Sequence, residues 1–319
     1  MIHFTHNDMD ALGCMLCVNS KYKEKIARVY HTFYGDFEKQ VDAIINDPDD
    51  IVIITDLSFA ERPDCLKSLV SKKKFVQLVD HHSYPKEFWD EFDKLPNFKR
   101  IIDDSVCATL LCYDAFTKHL NDDERKSLKA LCNIIDVYDC WRETHSSFDG
   151  SQLINLWFWT KNLDELCTEI ENNKYKLPPY AKDEIGSLRA EQEEAVKKAY
   201  ENNQVHKCGP VTFVFNNDVF NPILIKEMKE GQGFVVGSFQ FNNGTFCFKC
   251  RVKQGTLSPH RLDRLRLVLT GKTTGHPNAF SYVRDFNNSA EITNEYKRIV
   301  EVYTNSNVYC EDGIPSIPV

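Results

Sequence analysis

Three apolar runs frame the first half of the chain: Ile2-His3-Phe4-Thr5, Ile51-Val52-Ile53-Ile54-Thr55 and Phe75-Val76-Gln77-Leu78-Val79. Each is short and bounded by polar residues, as strands buried in a sheet core are. A fourth strand is expected over residues 27–33. Between these strands the pattern lengthens to helical periodicity over residues 11–21, 36–46 and 63–71. Strands alternating with helices of about ten residues indicate βαβ units and a parallel sheet.

Beyond residue 104 the pattern changes. Ser105 is expected to cap a helix over 106–119. A further helix opens on Asp122-Asp123-Glu124, with acids in its first turn, and runs to Asp136-Val137-Tyr138-Asp139-Cys140-Trp141. Residues 145–151 read as a loop, 153–160 as a helix and 180–203 as a long polar helix after Pro178-Pro179. Strand-like runs follow at 211–215, 233–241 and 246–252, the last two joined by an Asn242-Asn243-Gly244 hairpin turn. Helices are expected over 258–269 and 290–304, with a Gly/Thr loop at 271–277. The fold class is therefore α/β, an N-terminal parallel sheet with flanking helices followed by a smaller mixed α/β domain. The boundaries are 1–160 for the first domain, 161–204 for a helical connector and 205–319 for the second domain.

The chain has 319 residues and a net charge of −8. That balance argues against wrapping a long nucleic-acid duplex by bulk attraction. Between Val205 and Phe286, however, eleven basic residues stand against five acids. An acidic first part suits cations and a basic second part suits phosphates. No run of residues has the length and apolarity of a membrane span, and the start has no secretory leader pattern, so the expectation is a soluble, cytoplasmic protein without a membrane partner. Most of the twelve cysteines sit in apolar runs. The pairs Cys14/Cys17 and Cys247/Cys250 lack the companion ligands of a zinc ribbon and read as reduced core thiols.

The strand ends carry the chemistry. His6, Asp8 and Asp10 follow the first strand, Asp56 follows the second of the three runs, and Asp80-His81-His82 closes the third. Asp136 and Asp139 end a helix. So many carboxylates gathered at one sheet edge repel one another and lose hydration, which divalent cations reverse. Carboxylate and imidazole ligands suit Mn²⁺, Mg²⁺ or Zn²⁺. A pair of metals about 3.5–4 Å apart needs a bridging carboxylate, and Asp56 is the natural choice.

These motifs resemble the DHH phosphoesterase superfamily, in the branch where a DHH domain precedes a DHHA1 domain and whose members include oligoribonucleases acting on nanoRNA. His6-Asn7-Asp8-Met9-Asp10-Ala11 matches the first motif, His-x-Asp-x-Asp-Gly, except at its last position. Asp56 is the second motif and Asp80-His81-His82 the third. Asp136 matches the fourth, while Asp139-Cys140-Trp141 resembles an Asp-x-Trp variant of it. Gly275-His276-Pro277-Asn278-Ala279 matches the DHHA1 signature Gly-Gly-His-x-x-Ala from its second glycine onward, and Arg251 resembles an arginine placed before that loop.

The resemblance implies that His6, Asp8 and Asp56 hold one metal and that Asp10, Asp56, His81 and Asp136 hold the other. Two Mn²⁺ ions are implied, with Mg²⁺ or Co²⁺ as substitutes. Asp80 would orient a liganding histidine, and His82 would face the scissile phosphate. Arg251, Gly275 and His276 would bind substrate. Asp139, Ser105 and Thr109 are further site candidates.

The implied activity is that of a metal-dependent phosphodiesterase or exonuclease. It would cut short single-stranded RNA or DNA, or linear dinucleotides, to mononucleotides, with water rather than a serine or cysteine as nucleophile. The alternatives are a cyclic-dinucleotide or 3′-phosphoadenosine 5′-phosphate phosphohydrolase, and a non-catalytic module that sequesters a nucleotide. A homodimer is compatible with this reading and does not follow from it. The chain departs from the family pattern at Ala11, at Thr273-Thr274 and at Phe280-Ser281, so the metal motifs stand while the substrate loop is altered.

Overall fold

Strands β1 (Ile2–Thr5), β2 (Arg28–His31), β3 (Ile51–Thr55), β4 (Phe75–Asp80) and β5 (Phe98–Ile102) form one wholly parallel sheet in the order β2-β1-β3-β4-β5. The computed structural model describes residues 1–32, 36–216, 219–231, 233–240, 245–253, 255–270 and 278–308. The expected Asn242-Asn243-Gly244 turn and the loop containing Gly275 and His276 lie outside them. The chain divides into two compact units, Met1–Leu188 and Arg189–Val319, with the division inside a long helix.

Alternation along the strands builds two cores in the first unit. Ile2, Phe4, Val52, Ile54, Val76 and Leu78 point to one face, where they pack with α2 (Phe37–Asn46) and α3 (Pro63–Lys72). Ile53 and Val79 point to the other, beneath α1 (Met9–Tyr22), α4 (Ala108–Phe116) and α5 (Asp122–Asp139). The helices α6 (Phe148–Phe158) and α7 (Leu163–Asn172) complete that layer, and α8 (Ala181–Glu201) leaves it. Helices on both faces explain why the strands read as continuous apolar runs. Cys14, Cys17, Cys107, Cys112 and Cys132 are buried and unbridged in the second of these cores, as reduced thiols behaving as small hydrophobes do.

Two helix boundaries differ from expectation for a physical reason. Ser105 does not cap α4, whose N-cap is Cys107 without a side-chain bond. The free amides there are satisfied from elsewhere. Cys107 N–H donates to Asp136 Oδ1 (2.9 Å), while the amides of Ala108 and Thr109 donate to the Asp10 carboxylate (3.0 and 2.8 Å). The expected loop over 145–151 is half helix, because Phe148 is buried with its ring edge-on to Trp141 at 5.1 Å.

Gly13 fixes how closely α1 and α4 approach. A methyl group there would lie 2.1 Å from Thr109 Oγ1 and 2.8 Å from Ile135 Cδ1. Thr109 cannot easily retreat, because its hydroxyl donates to the Asp10 carbonyl at 2.7 Å. Alanine in a helix is ordinarily about 1 kcal/mol better than glycine, but overpacking costs about 1–3 kcal/mol. Gly13→Ala is therefore expected to lower stability by about 1–2 kcal/mol in urea unfolding. A neutral or stabilising result would mean that the two helices separate freely.

The second unit holds a mixed sheet, β10-β9-β8-β7-β6, formed from β6 (Val205–Cys208), β7 (Val211–Val214), β8 (Phe234–Gln240), β9 (Thr245–Val252) and β10 (Ala279–Asp285). Only β7 and β8 run parallel, and α9 (Phe220–Lys229) connects them. The helices α10 (Pro259–Thr270) and α11 (Ser289–Val308) complete the unit. Its core is aromatic, with Phe248 and Tyr282 stacked at 4.9 Å and Phe234 and Tyr303 at 4.7 Å. No described helix is long and apolar enough to cross a membrane.

Candidate metal centre

The order β2-β1-β3-β4-β5 reverses direction of travel between β1 and β3, so the loops leaving these two strands diverge to opposite faces. Ligands bind at the carboxyl ends of the strands beside such a reversal in sheets of this kind. His6, Asp8 and Asp10 follow β1, Asp56 follows β3, and His81 and His82 follow β4. The pattern of strand-terminal polar residues thus converges on one place.

Each side chain is held by its local structure. Asp8 is the N-cap of α1, its Oδ1 accepting from Ala11 N–H at 2.9 Å while its Oδ2 lies 2.6 Å from His6 Nδ1. Asp10 follows within the first turn of α1 and is locked against the α4 amides. Asp56 adopts φ +53°, the left-handed region that aspartate tolerates better than most residues, and its N–H donates to Val79 O at 3.0 Å. Its side chain is only 4% exposed, and its Oδ2 has no hydrogen-bond partner.

His81 stands among three carboxylates. Its Nε2 is 3.4 Å from Asp56 Oδ1, 3.5 Å from Asp139 Oδ2 and 3.8 Å from Asp10 Oδ2. Among the described residues, three groups of side chains have donor atoms close enough to share a cation: His6-Asp8-Asp56, Asp56-His81-His82 and His81-Asp139-Cys140.

Asp80 sits behind this cluster, fully buried. Its Oδ1 accepts from His81 N–H (2.9 Å) and lies 2.7 Å from His82 Nδ1, and its Oδ2 accepts from the Tyr84 hydroxyl at 2.6 Å. The residue was expected to orient a liganding histidine; the ring that it holds is that of His82, and it reaches His81 only through the backbone. Tyr84 also accepts from Phe59 N–H at 3.1 Å, tying the segment after Asp56 to the Asp80 turn.

Asp136 does not join the cluster around His81. Arg142 grips its carboxylate from two nitrogens, Nε to Oδ2 at 2.6 Å and Nη2 to Oδ1 at 3.1 Å, and also donates to Ser105 O at 2.7 Å. With the Cys107 amide also on Oδ1, this carboxylate serves as an anchor between α4 and α5. Asp139, one turn on, faces His81 instead, and its Oδ2 is buried without a hydrogen-bond partner. Thr109 acts on Asp10 from behind, and exposed Ser105 meets Arg142 through its carbonyl.

The electrostatics are those of a cluster short of positive charge. Burial, with the charges of Asp8 and Asp10, drives the Asp56 carboxyl well above the ordinary carboxylate range. Burial and the neighbouring Asp10 push Asp139 up to about 8. Burial also raises Asp10, and the His81 charge only partly offsets it. Burial works against a charged His81, yet contacts with Asp56, Cys140, Asp139 and Asp10 outweigh it and raise its pKa. Burial would raise Asp80 too, but the charge and hydrogen bond of His82 hold it below its usual value.

Uncompensated buried carboxylates with orphaned oxygens fit divalent cations. Sequence reasoning missed Arg142, Tyr84 and the thiol of Cys140. Only Cys140 carried a signal, as the central residue of Asp139-Cys140-Trp141. In the second unit, Arg251 lies half-buried in β9, paired in register with Val235 and Ala279.

No family model and no curated protein sequence matches the chain. Among solved structures, RecJ from Thermus thermophilus in complex with Mn²⁺ aligns over 95% of this chain at 15% identity with a TM-score of 0.60. This chain spans 52% of that one, about half its length. An uncharacterized protein from Helicobacter pylori G27 aligns over 95% of this chain and 98% of its own at 18% identity, with a TM-score of 0.45. The likeness to RecJ is one of fold.

Proposed function

We propose that this protein is a metal-dependent phosphodiesterase of the DHH superfamily that hydrolyses short single-stranded oligonucleotides or linear dinucleotides to mononucleotides. The observation that carries this reading is the orphaned, buried Asp56 carboxylate, flanked by His6-Asp8 on one side and His81-Asp139 on the other. A carboxylate placed so would be shared between two sets of cation ligands. The RecJ fold, solved with Mn²⁺, supports the same reading. His6, Asp8 and Asp56 would hold one ion. Asp10, Asp56, His81 and Asp139 would hold the other, with Asp139 in the place that the sequence offered to Asp136.

Divalent cations held there would lower the pKa of water to about 7 and offset charge developing on a phosphate. The remaining work falls to the chain. Asp80 fixes the His82 ring by accepting from Nδ1–H, so that Nε2 would donate to a phosphate oxygen from the doubly protonated ring. The α4 amides hold Asp10 in place without moving parts. Arg251, Gly275 and His276 of the second unit, which we read as a DHHA1 domain, would supply positive charge and backbone donors to the substrate phosphate. The negative net charge favours short strands over long duplexes.

The test is release of mononucleotides from labelled di- to decanucleotides in Mn²⁺, with cyclic dinucleotides, 3′-phosphoadenosine 5′-phosphate and pyrophosphate alongside. Asp139→Asn is expected to lower the rate by about 10²-fold or more, whereas Asp136→Asn is expected chiefly to lower stability. Absence of hydrolysis across the whole panel would sink the proposal, and equal losses in the two variants would sink the assignment of Asp139.

A further inference from the structure

Cys140 is the C-cap of α5, one residue beyond Asp139. Its Sγ, a ring nitrogen of His81 and an oxygen of Asp139 all lie within 4.8 Å of one another. Donor atoms around one four-coordinate cation stand about 3–4 Å apart, given metal–nitrogen and metal–oxygen distances near 2.1 Å and metal–sulfur near 2.3 Å. Small side-chain rotations close that gap.

Two further observations point to a cation at this place. Asp139 Oδ2 is buried without a hydrogen-bond partner, and so is Oδ2 of Asp56, whose other oxygen is 3.4 Å from His81 Nε2. The thiol is also easily spared from its present contact. It donates weakly to Asp136 Oδ1 at 3.5 Å, an oxygen already satisfied by Cys107 N–H and by Arg142. Releasing Sγ from Asp136 therefore leaves no orphan behind.

We propose that Cys140 supplies a thiolate ligand to the cation held by His81 and Asp139, so that this half of the centre favours thiophilic ions such as Zn²⁺ and Co²⁺ over Mn²⁺. The inference rests on the metal-centre reading above and refines it. Binding exchanges the S–H proton for the cation. The proton passes to solvent and the oxidation state of sulfur is unchanged. Soft thiolate ligands select for Zn²⁺ over harder cations, whereas the His6-Asp8-Asp56 half, without sulfur, has no such bias. The thiol also opens this half to alkylation, unlike the other half, which has no sulfur.

The metal-free, full-length protein is titrated with Co²⁺ and followed by absorption. The wild type is expected to show visible d–d bands together with an intense near-ultraviolet thiolate-to-cobalt charge-transfer band. Cys140→Ser and Cys140→Ala are expected to lose the charge-transfer band and keep visible absorption. Cys208→Ser, which removes an exposed thiol of the second unit, is expected to keep both. Competition titrations of the Cys140 variants are expected to show Zn²⁺ affinity reduced by about tenfold or more, with Mn²⁺ affinity changed less. Visible bands without a charge-transfer band in the wild type, or a charge-transfer band that survives in both Cys140 variants, overturn the thiolate ligand and leave the centre standing. No Co²⁺ spectrum, with no shift in melting temperature on adding Co²⁺ or Mn²⁺, overturns the centre itself.

Discussion

Asp56→Asn is expected to abolish hydrolysis while raising the melting temperature of the metal-free protein. The two effects have one cause. Without cations, the Asp56 carboxyl is buried beside Asp8 and Asp10, and its pKa stands well above the ordinary range. At neutral pH the folded state must either ionise it against those charges or hold it protonated, and either course costs stability. Asparagine keeps the size and tolerates the φ of +53° at least as well as aspartate. The substitution thus removes the charge and little else. His81 retains Asp139 and Asp10 as neighbours at 3.5 and 3.8 Å. A gain of about 1–3 kcal/mol corresponds to roughly 2–10 °C in a domain of this size. Differential scanning calorimetry of both proteins with and without Mn²⁺ checks it. The wild type should be stabilised by Mn²⁺ and the variant should not. A metal-free variant that melts below the wild type, or one that retains full activity, would remove Asp56 from the centre of the account.

Such a trade of stability for function is legible in the sequence wherever the competing forces are local. β1, β3 and β4 are continuous apolar runs because helices cover both faces, and each run stops at a residue of the carboxylate and imidazole cluster. The edge strand β5 carries exposed Lys99 and Arg100, and the edge strand β6 is mostly exposed, so neither shows a buried-strand pattern. The start of α4 departs from its expected cap because its amides are satisfied by Asp10 and Asp136, which are 98 and 29 residues away along the chain. No local pattern encodes such a cap.

The choice between Asp136 and Asp139 has the same character. Residues three apart on a helix differ by only about 60° in direction, so periodicity places both on nearly one face. Arg142 separates them by pinning Asp136 with two hydrogen bonds, which leaves Asp139 for His81. The arginine lies past the end of the helix, and it reaches back only because Trp141 takes φ +50° and turns the chain. Which carboxylate at this helix end meets His81 is decided by a backbone reversal that composition does not announce. The thiol of Cys140 comes within reach of His81 at the same reversal, which adds sulfur to a cluster of carboxylates and imidazoles.

Metal removal should make stability fall as pH rises. Asp139 has its folded-state pKa pushed up to about 8 by burial and by Asp10, against about 3.9 in an unfolded chain. A carboxyl raised in this way contributes stability that is complete below its unfolded pKa and is lost as pH climbs through the folded value. Asp56, Asp10 and His81 are raised as well and act in the same direction. Asp8 is lowered, because His6 outweighs its burial, but its effect is confined to pH below about 4. Asp139 sets a window from about pH 4 to about pH 8, and buried His3, lowered to about 3 by desolvation, opposes the trend only below about pH 6.5. Metal-free protein is expected to melt at least about 5 °C lower near pH 8 than near pH 5, since each kcal/mol is worth about 2–4 °C. Saturating Mn²⁺ should flatten or reverse the slope, because cations bind the ionised carboxylates and stabilise the fold by mass action. Melting curves in matched buffers, with chelator and with Mn²⁺, check both signs. Parallel pH profiles in the two conditions would mean that the buried carboxylates are not coupled to a cation, and the reading of this sheet edge as a metal centre would fall with them.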